Sequence, residues 1–257
     1  LFGKDISGFI YKIRWCRDET EAASIFYKTN HAYKRGDIPI AAPLGYNGQA
    51  VILNYIDGVH RETLDENIIK SISDIHSKLN NTYYTEKDNF FAQQIEKYID
   101  DCAKFINYYQ DVSATSQKIN KDIFYKMKEM HKPKNLLITF DHDDLGIHNV
   151  IFNNNKPYII DEESLGFLPF GLGLIKALYN KENSITLTTK QSELYMETFP
   201  SAFIDYFYEY RNYFLSLFVL KKAYNRFVFK KYDSAHSLMN KLEEIINDKR
   251  SIFNRQS

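Results

Sequence analysis

One stretch constrains this chain more than any other: Leu136 to Gly166, LLITFDHDDLGIHNVIFNNNKPYIIDEESLG. An apolar run predicts a strand, and the polar residues after it predict a loop. A short strand over Val150 to Phe152 then leads into an Asn run at 153–155. That run, lying between two β-rich segments, reads as a tight turn into a second strand, Pro157 to Ile160, which ends at Asp161. The stretch therefore holds a polar loop with His142, Asp144 and Asn149 and a hairpin that ends on an acid. An acid closing an apolar strand sits where ligand sites are usually found, at a strand terminus.

Within the loop, His142, Asp144 and Asn149 have the spacing H-x-D-x-x-x-x-N of the catalytic loop of kinases. Phosphoryl transfer needs a carboxylate to accept or orient the proton of the attacking hydroxyl, and Asp144 is placed for that. It also needs hard oxygen donors for the magnesium ions that neutralise a triphosphate, and Asn149 and Asp161 can supply them. The stretch resembles the aminoglycoside phosphotransferase and choline kinase superfamily, whose loop commonly reads H-G-D-x-x-x-x-N followed by I-D-W-E/D. Here the pieces are HDDLGIHN and IIDEES. Asp143 replaces the usual Gly, and Glu162 replaces the usual aromatic; both add negative charge and neither removes a reacting group. Glu162 follows Asp161 where protein kinases carry D-F-G, which favours the small-molecule branch.

The resemblance implies an α+β, protein-kinase-like two-lobe fold. It expects a small β-rich nucleotide-binding lobe over 1–57 and a large, mostly helical lobe over 58–257 bearing the catalytic loop and acceptor site. It further implies Asp144 as catalytic base, Asn149 and Asp161 as Mg2+ ligands, and His142 as support of the loop. Lys12, in FIYKIRW, resembles the strand lysine that steadies the nucleotide phosphates, with Glu21 (or Glu19) on the following helix as its expected partner. VILNYIDG resembles the hinge, so the backbone of Asn54, Tyr55 and Ile56 is expected to hold the purine of ATP or GTP. No glycine-rich phosphate loop stands before FIYKIRW in these residues. The family also carries an acid on the helix after I-D-W-E; here that segment reads LPFGLGLIKAL and has none.

The rest of the chain fits that outline. Asn47-Gly48 between Pro43–Tyr46 and Ala50–Tyr55 is a strong hairpin signal. Ile68, Ile69, Ile72, Ile75 and Leu79 recur at helical spacing after a cap at Asp65 or Thr63. His76 on that helix is expected to be a core histidine. Further helices are expected over Glu86–Val112, Gln117–His131, Gln191–Phe199, Ala202 to about Lys231, and Ala235–Phe253, with Pro200 separating two of them.

Composition limits the partners. Lys and Arg balance Asp and Glu at 33 each, so no basic field for nucleic acid is expected. No apolar run approaches a membrane span, and Cys16 and Cys102 form neither a metal spacing nor a disulfide framework; a cytoplasmic monomer or homodimer is expected. Asp143, Glu162 and Glu163 crowd the site with acid, which favours a cationic hydroxyl acceptor, an aminoglycoside first and a choline-like amino-alcohol next. The second reading is a kinase-like protein with a structural or binding role, of the spore-coat kind.

Overall fold

The computed structural model describes residues 1–5, 7–112, 119–179 and 187–247. They divide into two compact units, one of 1–84 with 138–201, the other of 85–137 with 202–257. This is a division by compactness, and it does not follow the expected lobe boundary at residue 57. Every residue expected at the site lies in the first unit.

That unit opens with a four-stranded antiparallel sheet in the order β1-β2-β4-β3, from β1 (Phe2–Lys4), β2 (Ile10–Trp15), β3 (Pro43–Asn47) and β4 (Ala50–Asn54). The β2–β4 register sets Lys12 opposite Leu53 and Arg14 opposite Val51. Alternation along a strand puts Lys12 and Arg14 on one face. Helix α1 (Glu19–Lys34) packs on this sheet. Asp18 caps it by accepting from the amide of Glu21 at 2.8 Å, Glu19 and Glu21 lie in its positive first turn, and His31 and Lys34 lie in its last. Its buried side chains Ala22, Ile25, Thr29 and Ala32 recur every three or four residues. Ala22 and Ile25 join Ala41, Val51 and Leu53 in one core.

Helix α2 (Glu66–Asn80) is capped by Asp65, whose carboxylate accepts from the amide of Ile68 at 2.8 Å. Its C-terminal carbonyls are satisfied by Arg35, which donates to the Lys78 and Leu79 oxygens and to Thr82 Oγ1. A second sheet, order β5-β6-β9, is built from β5 (Tyr83–Thr85), β6 (Leu137–His142) and β9 (Leu165–Pro169). Between the last two runs the hairpin β7 (Val150–Asn153) and β8 (Lys156–Ile159), turning through Asn154 and Asn155 at φ 49° and 64°. Helices α5 (Leu172–Tyr179) and α6 (Thr189–Met196) complete the unit, α6 beginning in a capping box of Thr188 and Gln191.

The second unit is helical: α3 (Phe90–Val112), α4 (Asp122–Lys128), α7 (Ser201–Val228) and α8 (Tyr232–Asn247). The expected helix 117–131 is shorter than its pattern within the described residues, and Gln117 lies outside them, as does the end of the expected helix at Phe253. The strands β1, β5 and β9 are too short, or too interrupted by Gly and Pro, to show as alternating runs.

Candidate active site

Strand β6 delivers the chain into the loop, and His142 at its end holds the loop together. Its Nδ1 accepts from the amide of Asp144 at 3.3 Å, so the proton sits on Nε2, which lies 3.2 Å from the carbonyls of both Ile160 and Asp161. Burial lowers the pKa of His142 below the ordinary imidazole value, which keeps this neutral tautomer. One ring thus ties the Asp144 loop to the end of the second hairpin strand. The amide of Asp143 donates to the carbonyl of Ser164, and that of Ile160 to the carbonyl of Asn149, at 2.8 and 2.9 Å.

Asp144 is half-buried, and its Oδ2 lies 3.2 Å from His148 Nε2. That hydrogen bond is the main reason its pKa falls below the ordinary carboxylate value; Lys176 adds to the effect and partial burial opposes it. Asn149, in a 3-10 turn over Ile147–Asn149, donates from Nδ2 to the Asp144 carbonyl at 2.8 Å. This turns its Oδ1 the other way, free to act as a ligand. Asp161 takes φ +66°, a left-handed conformation uncommon outside glycine, with Ser164 Oγ on its Oδ2 at 3.1 Å.

The cations around these acids differ from expectation. Lys12 meets Glu162, at 2.9 Å, and not Glu21. Glu21 accepts instead from the backbone and guanidinium of Arg17, because it lies in the first turn of α1, where an acid is drawn to the helix N-terminus. Arg14, two residues along the same strand face as Lys12, binds Asp161 at 3.2 Å and also Glu163. Asp143 binds Lys176 of α5 at 2.8 Å. All three acids expected to face a cationic acceptor, Asp143, Glu162 and Glu163, therefore carry a cation of the chain itself, and Glu162 is 1% exposed. Asn54, Tyr55 and Ile56 line a separate cavity of about 760 Å³ with Ile38–Ala42 and Tyr158, and the Tyr55 ring meets Phe2 edge-on at 5.2 Å. The recess beside Asp144 has a different lining, mostly apolar: Leu64, Ile69, Ile72, Leu145 and Ile147, with Lys176 and His148.

For a divalent ion, the donor set fits. Asn149 Oδ1 and the Asp161 carboxylate are hard oxygens on loops tied together by the Asn149–Ile160 backbone bond. A cation, the Arg14 guanidinium, already rests on Asp161. Among the described residues no three His, Cys, Asp or Glu side chains gather to hold a metal. The remaining coordination would therefore fall to phosphate and water, as is usual for Mg2+.

Arg14, His148 and Lys176 escaped the sequence reading. Arg14 could have been found from its i+2 relation to Lys12, and His148 from its i+4 relation to Asp144 in a loop that coils. Nothing in the pattern marked Lys176. Helix α5, which lacks the family's acid, packs instead against a buried one. Asp141, the residue before His142, puts Oδ1 at 2.8 Å from His76 Nε2, and its Oδ2 stands where a Cβ on Gly173 of α5 would fall, 2.4 Å away. His76 is wholly buried, with its Nδ1 on the Tyr195 hydroxyl at 2.8 Å.

No family model matches the chain, and no curated protein matches it either. Solved structures do. An ethanolamine kinase of Plasmodium vivax aligns with a TM-score of 0.62 at 13% identity, over 94% of this chain and 77% of its own. An amicoumacin kinase, determined with AMP-PNP and Ca2+, aligns at 0.59 and 12% identity, over 96% and 85%. A spectinomycin phosphotransferase bound to AMP gives 0.59 and 12%, over 96% and 90%. The chain therefore has the protein-kinase-like α+β fold shared by aminoglycoside phosphotransferases and ethanolamine kinase.

Proposed function

We propose that the chain is a small-molecule kinase that moves the terminal phosphoryl group of ATP or GTP to a hydroxyl acceptor. The observation that carries this reading is the convergence in one loop system of Asp144, Asn149 and Asp161, held together by His142. A scaffold has no physical need for a half-exposed carboxylate over a recess together with two hard-oxygen donors tied one backbone bond apart.

In this reading the acceptor hydroxyl lies in the recess beside Asp144. Its oxygen bonds to the γ-phosphorus as the bond to the β,γ-bridging oxygen breaks, and its proton passes to Asp144. Asp144 is ionised at neutral pH, as its lowered pKa requires, and so can orient and accept the hydroxyl proton. Asn149 and Asp161 would hold Mg2+, which when bound neutralises the charge on the transferring phosphate. Lys12 would steady the phosphates after leaving Glu162, and the backbone at Asn54–Ile56 would hold the purine.

The acceptor class is the finer question. The acids that favoured a cation are neutralised by Lys12, Arg14 and Lys176, so the aminoglycoside and choline-like candidates rest on the fold likeness and no longer on local charge. The pairing of Arg14 and Lys12 with the acids after β8 favours one second reading, a kinase-like binding protein whose nucleotide machinery is closed on itself. The cytoplasm is the proposed location, where a nucleotide donor is available and free thiols such as Cys16 and Cys102 persist.

The test is nucleoside diphosphate release from ATP or GTP with Mg2+, against aminoglycosides, choline, ethanolamine and sugars. Acceptor-stimulated release is expected, lost by at least 10²-fold in Asp144→Asn while nucleotide binding stays near that of the native chain. Absence of any nucleotide binding would overturn the kinase reading and favour the second one.

A further inference from the structure

His148 is bound to the machinery at three points that nothing in the motif required. Its Nε2 stands 3.2 Å from Asp144 Oδ2 and 3.1 Å from Asn149 Nδ2, and its ring lies against Gly146. The two Nε2 contacts compete. If Nε2 were bare, it would accept from Asn149 but face the carboxylate of Asp144 lone pair to lone pair. If it carries the proton, it donates to Asp144, and Asn149 Nδ2 keeps the bond it already makes to the Asp144 carbonyl at 2.8 Å. The second arrangement satisfies both the Asp144 carboxylate and the Asn149 amide, and the first does not.

Gly146 makes this seat available. A Cβ there would come within 2.8 Å of His148 Cε1 and 2.9 Å of Nδ1, so any side chain at 146 displaces the ring. The coil of the 3-10 turn then places His148 four residues after Asp144 and on the same side. With Oδ2 engaged, the carboxylate of Asp144 cannot rotate freely, and Oδ1 is left as the oxygen that can meet an acceptor.

Resting on the kinase reading above, we infer that His148 is a positioning residue for phosphoryl transfer: it holds Asp144 by one oxygen so that the other faces the acceptor hydroxyl. In this role it acts through Asp144. A fixed base matters because misplacement of a reacting group by about 1 Å can cost on the order of 100-fold in rate.

Three variants and one spectrum test this. His148→Ala is expected to lower kcat about 10- to 100-fold with the KM for Mg2+-nucleotide unchanged. His148→Gln, whose amide nitrogen can replace Nε2–H, is expected to recover most of the loss. Gly146→Ala is expected to lower kcat as well, although His148 is retained, and to add little in combination with His148→Ala. In protein labelled with 15N-histidine, the His148 Nε2–H signal is expected to shift in Asp144→Asn. Transfer undiminished in His148→Ala, equal loss in His148→Gln, or a His148 signal indifferent to Asp144→Asn would each overturn this role and leave the kinase standing. Absence of transfer by the native chain with every acceptor would remove the kinase reading, and this role with it.

Discussion

At the scale of single residues, Asp141 and Gly173 form a matched pair. The family resemblance places an acid on the helix that α5 became; here the helix has glycine, and the strand beneath supplies the carboxylate to His76. Aspartate and glycine fit only in this combination, because one side chain fills the volume the other vacates. Gly173→Asp alone would force two carboxylates together and is expected to cost roughly 1–3 kcal/mol from crowding, before any charge repulsion. Asp141→Ala alone would leave His76 Nε2 without its carboxylate, with only the Tyr195 hydroxyl still on Nδ1. The double variant is expected to be more stable than the sum of the two losses predicts, as measured by urea midpoints; strict additivity would refute the exchange. The same pair shows where sequence reading stops. The missing acid was legible, but the carboxylate that packs on Gly173 lay 32 positions upstream in the chain, on another element.

At the scale of elements, the β7–β8 hairpin illustrates the opposite case. Its existence was legible because Asn154 and Asn155 both take positive φ, the geometry a two-residue turn needs and asparagine tolerates. The hairpin ends in Asp161, so its register decides where that carboxylate stands. Asn154→Gly should leave stability near that of the native chain, since glycine accepts φ +49° without strain. Asn154→Val should cost about 1–2 kcal/mol, because a β-branched residue is penalised in the left-handed region; equal midpoints for the two variants would refute this account of the turn. Lys12 is the element-scale failure. Its strand was legible from FIYKIRW, yet Glu162 became its partner because Glu21 was held in the first turn of α1 by Arg17.

At the scale of the whole molecule, the two compact units each contain one cysteine, and the thiols differ in kind. Cys102, on α3, is 1% exposed, and burial pushes its pKa up to about 11. Cys16 is partly exposed, its pKa raised more mildly by burial and then by Glu21. At pH 8 the thiolate of Cys102 is about 100-fold scarcer than that of a thiol at the ordinary value of 9.0. Alkylation at pH 8 should therefore modify Cys16 first and reach Cys102 only as the second unit opens, with Cys102 labelling following urea unfolding. Early modification of Cys102 in the native protein would contradict this packing. The sequence by itself determined the elements with strong local signals: the capped helices α1 and α2, the Asn-Gly and Asn-Asn hairpins, and the loop with Asp144 and Asn149. Those follow from side-chain period and turn chemistry, which act over a few residues. Tertiary structure alone decided which charges met. Lys12 chose Glu162, Arg14 chose Asp161 and Asp143 chose Lys176, because ion pairs form between whichever opposite charges folding brings within about 4 Å, however far apart they lie in the chain.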